Sequence, residues 1–180
     1  MKSEQHPVSS ETGGFVRLVA GFVFLLSGLV LAGWVLDLAF LKSVLPGQVS
    51  MKVNAALGFA LAAFALVWAR PDAGAAWRRR IASGCALAIN LLGAATLIEY
   101  LLKVDLRIDQ FVFRDSLDAI ATSSPGRMAP LTAVDFVLLG AALVLVKRLK
   151  TLGAAQVLAL LVVLEALFSL TGYVYQISNF

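Results

Sequence analysis

The stretch 125–146, PGRMAPLTAVDFVLLGAALVLV, is a turn followed by an apolar segment that carries an acid, Asp135. An earlier stretch, MKVNAALGFALAAFALVWA at 51–69, repeats much of its pattern. A bilayer span needs about 20 mostly apolar residues, with about 17 as the lower limit. Both stretches reach that limit, so they predict two related membrane helices and raise the question of what the acid does.

The composition extends this interpretation to the whole chain. Hydrophobic residues make up 60% of the 180 residues and charged residues 14%, whereas soluble domains are about 45–50% apolar. We predict an all-α, polytopic membrane bundle in which residues 1–14 form a polar cytoplasmic tail and 15–180 a single membrane domain. The first apolar segment is longer than the roughly 7–15 residues of a signal peptide and predicts a retained anchor. The five predicted transmembrane helices cover approximately 15–36, 53–69, 81–102, 130–146 and 152–175.

The basic residues predict the orientation. The net charge is +4, but the Lys and Arg residues cluster beside apolar segments, so we expect no nucleic-acid partner. Loops rich in Lys and Arg stay in the cytoplasm, and the basic loops are 70–80 and 147–150. This places the N-terminus inside, and the loop 103–129 and the C-terminus outside.

The two opening stretches predict an internal repeat. Aligning Met51 with Met128 places Phe59 on Phe136 and leaves Asp135 opposite a glycine. Each copy is followed by a basic turn and a long apolar segment, so the predicted unit is a duplicated helical hairpin with the first span as an addition. Chance similarity between apolar sequences is the alternative.

These stretches also resemble a known family. The pattern M-x-P-N-T-A-L-x-F-x-L-x-G-x-A-L occurs in the multi-pass N-terminal membrane sensor regions of bacterial PAS-containing (hybrid) histidine kinases and diguanylate cyclases. The segment 99–113, EYLLKVDLRIDQFVF, is similar to the E-Y-L-F-G-V-D-L-G-I-D-Q-L-L-F of that family, and PGRM follows at 125–128. The matching residues of the two copies are Met51, Asn54, Ala56, Leu57 and Phe59, and Met128, Pro130, Thr132, Ala133, Phe136 and Gly140.

The chain departs from the family pattern in three respects. The first copy has Val53 where the pattern has proline, and the second copy has Leu131 where the pattern has asparagine. Lys103 and Arg107 stand where the pattern has glycines, which allow tight turns that other residues adopt less readily. Asp135 occupies a position that is usually small or uncharged.

The resemblance implies the membrane-embedded sensory or input region of a bacterial signal-transduction protein, in a two-component system or a related pathway. It also implies the bacterial inner membrane, the lipid bilayer as surroundings, and a cytoplasmic signalling module as partner in a full-length parent. A homodimer is left open. The odd number of crossings indicates a region separated from its output module or a standalone relative. No catalytic, metal-binding or cofactor motif is visible in the sequence, so we expect no enzyme activity from this chain. The alternative is a small standalone transporter-like or structural membrane protein.

Two groups of polar residues are candidate sites. Acids and amides inside a membrane suggest ligand binding or proton sensing, although hydrogen bonds that fix helix packing are the alternative. We expect the acid nearest the outer boundary, Glu99, to reach water. The long loop 103–129 is either a ligand-binding segment or a cap on the membrane surface. The intramembrane candidates are Asn90, Glu99, Asp135 and Glu165, and the loop candidates are Asp105, Asp109 and Arg127.

Overall fold

The computed structural model describes residues 8–43, 50–69, 75–110, 113, 124–147 and 149–175. In these ranges the chain forms helices and no strand, which confirms the all-α prediction. The helices are α1 (Val8–Val35), α2 (Ala39–Lys42), α3 (Val53–Trp68), α4 (Ala76–Leu102), α5 (Pro130–Leu145) and α6 (Leu152–Val174), with a 3₁₀ turn at Leu149–Thr151.

The helix bounds differ from the predicted spans mainly at the first helix. Helix α1 begins at Val8, inside the segment predicted as a polar tail, and the short α2 was not predicted. The segment DSLDAIA at 115–121, whose sequence predicts a short helix, lies outside the described residues.

The helix ends follow from local chemistry. Pro130 stands at the beginning of α5, where its missing N–H costs no hydrogen bond and its fixed φ suits a helix. Helix α4 ends at Lys103, whose φ of 54° is left-handed, as is common after the last helical residue. The chain then turns back toward the bundle instead of continuing outward.

Three helices are long and apolar enough to cross a membrane, with candidate spans at Gly13–Val35, Ala76–Leu102 and Leu152–Gly172. The other two apolar helices, α3 and α5, have 16 residues each. At about 1.5 Å per residue they are about 24 Å long, which is shorter than the roughly 30 Å hydrocarbon core. The described part of the chain is therefore a helical structure with three long and two shorter apolar helices, which is compatible with a membrane protein.

The centre of the bundle is formed by α3, α4 and α5. Helix α4 packs against both α3 and α5, α1 packs against α3, and α6 packs against α5. Small residues bring the helices close: a Cβ on Gly93 of α4 would lie 2.5 Å from the Ala133 carbonyl oxygen, and one on Gly58 of α3 would overlap the Phe136 ring. Such close backbone approach is typical of membrane helix pairs.

Phe136 is the centre of this packing. Its side chain is 0% exposed, and its ring meets that of Phe59 edge to face with 5.0 Å between the centroids. The two phenylalanines that the sequence alignment places at equivalent positions therefore contact each other.

Candidate functional site

A group of buried polar residues lies where α4 ends, at the side of the bundle that the charge pattern predicts to face outside. Its members are Asn54 in the first turn of α3, Glu99 in the last turn of α4, Asp109 in the loop that follows, and Arg127 just before α5. We call these four residues the charge cluster. Their exposed fractions are 6%, 0%, 7% and 8% in that order, so water is largely excluded from all four.

Asp109 and Arg127 form the strongest contact of the charge cluster. The Arg127 Nε donates to Asp109 Oδ2 at 2.6 Å, and Asn54 Nδ2 donates to the other oxygen of Asp109 at 3.3 Å. The Arg127 guanidinium also lies 5.3 Å from the centroid of the Tyr100 ring, within the range of a cation–π contact. Both oxygens of Asp109 are thus engaged, and its partners come from two different segments.

Among the described residues, Glu99 accepts fewer hydrogen bonds than Asp109. Its Oε1 accepts a hydrogen bond from the Leu106 backbone N–H at 2.8 Å. Its Oε2 lies 3.5 Å from Arg127 Nε, an ion-pair distance, but no described group forms a hydrogen bond to it. We read this contact as charge attraction only, because the same Nε is already directed at Asp109.

The backbone of the loop brings these groups together. Lys103 and Arg107 have φ values of 54° and 59°, and these are the two positions where the resembled family has glycine. The Asp105 carboxylate accepts a hydrogen bond from the Arg107 N–H at 2.8 Å and stabilises the second of these turns. A non-glycine residue in the left-handed region costs on the order of 1 kcal/mol, so the contacts of the folded loop must offset that cost.

Gly126 allows the chain to turn so that Arg127 reaches the charge cluster. Its φ is 76°, and a Cβ there would lie 2.6 Å from the Asp109 carbonyl oxygen. The Gln110 side chain donates to the Pro125 carbonyl at 3.2 Å, which joins the two ends of the loop. Only a glycine combines this conformation with such a close backbone approach.

Arg127 keeps its positive charge in this setting. Burial disfavours the guanidinium cation, but the hydrogen bond and negative charge of Asp109, together with the charge of Glu99, outweigh burial and raise the pKa of Arg127 above its ordinary value. The charge cluster therefore holds a permanent cation between two carboxyl groups.

Aromatic donors join the helix ends on this side of the bundle. Trp34 Nε1 donates to the Met51 carbonyl at 2.9 Å, and Tyr100 Oη donates to the Met128 carbonyl at 3.0 Å. Trp34 is in the last turn of α1 and Tyr100 in the last turn of α4. In each case the residue that receives the hydrogen bond is the methionine that opens one of the two similar stretches.

The structure places two other predicted acids in a second polar contact. Asp135 of α5 and Glu165 of α6 lie near each other. Asp135 Oδ1 has no hydrogen-bond partner among the described residues, while Ser169 Oγ donates to Glu165 Oε1 at 2.7 Å. We call Asp135 and Glu165 the carboxyl pair. It is separate from the charge cluster, because its members belong to the α5–α6 contact.

The predicted site residues thus divide into groups. Glu99, Asp109 and Arg127 come together, whereas Asp105 is exposed and acts on Glu99 by its charge. Asn90 donates to the Val137 carbonyl at 2.8 Å and ties α4 to α5.

One expectation about these residues is wrong, and two residues were missed. Glu99 does not reach water, because the loop folds back over the end of α4 and buries it. The missed residues are Asn54, which had been noted only as part of a motif, and Thr96, which lies one helical turn before Glu99 and is 0% exposed. A polar residue one turn from a buried acid was the signal available for Thr96.

Comparisons with protein-family models, curated proteins and solved structures gave no match.

Proposed function

We propose that this chain is the membrane-embedded sensory region of a bacterial signal-transduction protein, with the charge cluster on the outer side as its input site. The observation that carries the proposal is the convergence of three sequence segments. Asn54 comes from the first motif copy, Glu99 and Asp109 from the segment 99–113, and Arg127 from PGRM. The segments that carry the family resemblance are therefore the ones that build one buried site.

The chemistry of the charge cluster fits a conformational switch better than a purely stabilising contact. A buried ion pair contributes little net stability compared with apolar packing, because desolvation costs about as much as the charges return. Its value lies in selecting one arrangement of the segments it joins. Here the charge cluster joins the loop after α4 to the first turn of α3 and to the beginning of α5. A change in the position of the loop is therefore transmitted to α3 and α5.

The backbone conformations of Lys103 and Arg107 support the family resemblance. Both adopt the left-handed conformation that glycine adopts most easily. The turns that the family pattern suggests are thus compatible with this chain although the glycines are absent. The cost of these two turns is consistent with a functional reason to keep the loop in place.

The proposed topology has five spans and a duplicated hairpin. Helices of about 24 Å can cross a bilayer that thins locally or by means of flanking residues at the interface. The aromatic hydrogen bonds to Met51 and Met128 and the Phe59–Phe136 contact are in keeping with duplication. In this topology the charge cluster faces outward and the basic turns face the cytoplasm.

A small transporter is the second candidate, and the carboxyl pair favours it. Two facing acids between membrane helices are a common element of proton-coupled transport. Proton flux into proteoliposomes distinguishes the candidates: a transporter predicts flux that is lost in Asp135→Asn, whereas the sensory proposal predicts no flux with either protein.

A distance measurement tests the sensory proposal directly. The native Cys85 is replaced by Ala, and spin labels are placed on cysteines introduced at Ala76, the first residue of α4, and Lys150, in the 3₁₀ turn between α5 and α6. Both residues are exposed and lie at the opposite end of the bundle from the charge cluster. In nanodiscs, Arg127→Gln should shift the distance between the labels by about 1–2 Å or more, as helix shifts in switching proteins do.

Lys42→Gln is the matched control. Lys42 also forms an ion pair at the loop side of the bundle, but its partner Asp37 is 92% exposed. The control should leave the distance unchanged. If Arg127→Gln folds and also leaves it unchanged, the charge cluster does not communicate with the inner end and the sensory proposal fails.

A further inference from the structure

The end of the bundle opposite the charge cluster carries a large excess of positive charge. The loops 70–80 and 147–150 contain seven Lys and Arg residues and one acid, Asp72. The segment 1–17, which the proposed topology places at the same end, adds two cations and two acids. These segments therefore hold nine cations against three acids, so at least six cations remain even if every acid forms an ion pair.

Lys147 is held between α4 and α5 by neutral acceptors. Its Nζ donates to Ser83 Oγ at 2.5 Å and to the Arg79 carbonyl oxygen at 3.5 Å. Lys147 is partly buried, and no acid forms an ion pair with it among the described residues. An ammonium group has three N–H donors, and two of them are directed at these acceptors. The ammonium group is thus fixed in position while its charge is not compensated.

Two arginines lie on the same face of α4 as this ammonium group. Residues three or four apart on a helix are neighbours on one face, so Arg79 and Arg80 share a face with Ser83. Both arginines are exposed. Helix α4 also begins at this point without a side-chain cap from Ala75, and the N-terminal end of a helix dipole favours an anion. We call Arg79, Arg80 and Lys147 the basic site.

An exposed apolar face of α4 continues from the basic site. Gly84 lies one turn after Arg80, and nothing lies within 4 Å of a Cβ at this position. Further along the same face, Leu87 and Leu91 are 54% and 59% exposed. Trp77, at the beginning of α4, is 51% exposed, and tryptophan at the end of a membrane helix is typical of headgroup depth. This combination of a cationic site and an apolar face matches the two parts of a phospholipid, whereas a free phosphate would use only the first.

We propose that the basic site binds the headgroup of an anionic phospholipid. The lipid phosphate contacts the two guanidinium groups and the Lys147 ammonium, and an acyl chain lies along α4 over Gly84 and Leu87. Basic pockets between membrane helices bind anionic headgroups in this way. Phosphatidylcholine also has a phosphate, but its choline cation balances that charge, so the excess of cations selects a lipid with a net negative charge.

This inference goes beyond the proposed function. It uses the position of the bundle in a bilayer and does not use the sensory role of the charge cluster. Lipid preference and the label distance are separate measurements, so either proposal can fail while the other stands.

Fluorescence quenching by brominated lipids tests the proposal on the whole chain. The protein is reconstituted in phosphatidylcholine vesicles in which a rising fraction of the lipid is brominated phosphatidylglycerol or, in a parallel series, brominated phosphatidylcholine. Bromine quenches a tryptophan that it contacts, and Trp68 and Trp77, with 5.4 Å between their ring centroids, report on this end of the bundle. One basic residue at an anionic surface strengthens binding about fivefold, so we expect phosphatidylglycerol to be preferred by about fivefold or more.

The double variant Arg80→Gln, Lys147→Gln should remove this preference. Arg17→Gln combined with Lys150→Gln is the matched control, because it removes two exposed cations from the same end without changing the basic site. The control should keep the preference. An equal loss in both double variants would mean that the whole basic end attracts anionic lipid without a defined site, and would overturn the proposal.

The wild type gives an answer even if a variant does not fold. Equal quenching by the two brominated lipids would show that the basic site does not select an anionic lipid, and the proposal would be wrong. A preference that appears only in Asp72→Asn would mean that the acid of the turn 70–74 occupies the basic site, and this outcome also contradicts the proposal.

Discussion

Replacing Arg127 by Met should destabilise the fold more than any other single change in the charge cluster. The substitution keeps most of the side-chain volume but removes the only cation that contacts Asp109 and Glu99 in the described part of the chain. Both carboxyl groups then stay buried without an ion-pair partner. The effect should appear in the unfolding free energy and in the position of the loop.

The distances give the size of the effect. At an effective dielectric constant of about 20, unit charges attract by about 6 kcal/mol at the 2.6 Å between Arg127 Nε and Asp109 Oδ2 and by about 5 kcal/mol at the 3.5 Å to Glu99. Desolvation of the guanidinium offsets much of this. Breaking a buried pair by removing one partner costs about 3–5 kcal/mol, which is about two to four orders of magnitude in the unfolding equilibrium constant.

Reversible unfolding in mixed micelles, followed by circular dichroism, measures the loss. Glu99→Gln should change stability by less than about 1 kcal/mol or increase it, because it removes the surplus acid and keeps a hydrogen-bonding group. In that background Arg127→Met should cost about 1–2 kcal/mol less than alone, since one fewer unpaired carboxylate remains. Lys42→Met serves as control: its ion-pair partner Asp37 is exposed and the change also removes a cation–π contact with Trp34, so its loss should be about 1 kcal/mol at most, well below that of Arg127→Met. Strictly additive losses for Arg127→Met and Glu99→Gln would refute the argument that Arg127 interacts with Glu99 as well as with Asp109.

Three further predictions concern packing and pH. Gly93→Leu should prevent normal packing of α4 on α5, because even a Cβ at this position meets the α5 backbone. Gly84→Leu should be tolerated, because nothing lies within 4 Å of a Cβ at that position. Unfolding measurements and gel filtration compare the two variants. Asn90→Leu should lower the unfolding free energy by about 0.6 kcal/mol and by at most about 1.7 kcal/mol, the range for hydrogen bonds between membrane helices. A larger loss would mean that the Asn90 amide contributes more than its hydrogen bond to α5. Burial lowers the pKa of Lys147, so the unfolded chain binds more protons between the lowered value and the ordinary one of about 10.4. The unfolding free energy should therefore rise with pH across that interval. A Lys147→Met variant should lose this dependence on pH. If the variant keeps the same slope of unfolding free energy against pH, Lys147 is not its cause.

The helices follow closely from the sequence because apolar length and flanking charges are local properties. The predicted spans 53–69 and 130–146 differ from α3 and α5 by one residue at their C-terminal ends. The first helix differs more, because the polar character of 8–14 predicts a tail and gives no signal that the helix continues through it. The candidate acids were also identifiable, since an acid in an apolar segment is conspicuous wherever it lies.

The residues that these acids contact could not be identified from the sequence. Asn54 and Asp109 are 55 residues apart in sequence, and no periodicity relates them. Glu99 was expected to contact water because it stands near the end of α4, but two left-handed turns at Lys103 and Arg107 fold the loop back over it. Asp135 meets Glu165 only because α6 packs against α5.

Composition and hydropathy thus decided that this chain forms apolar helices, and roughly where each begins and ends, because these depend on residues close together in the chain. The tertiary structure decided which polar residues meet, since that depends on loop geometry and on contacts between helices. It changed Glu99 from an acid at a helix end into a buried carboxyl group beside Arg127. It also gave Asp135, the acid in the stretch 125–146, a partner on a neighbouring helix.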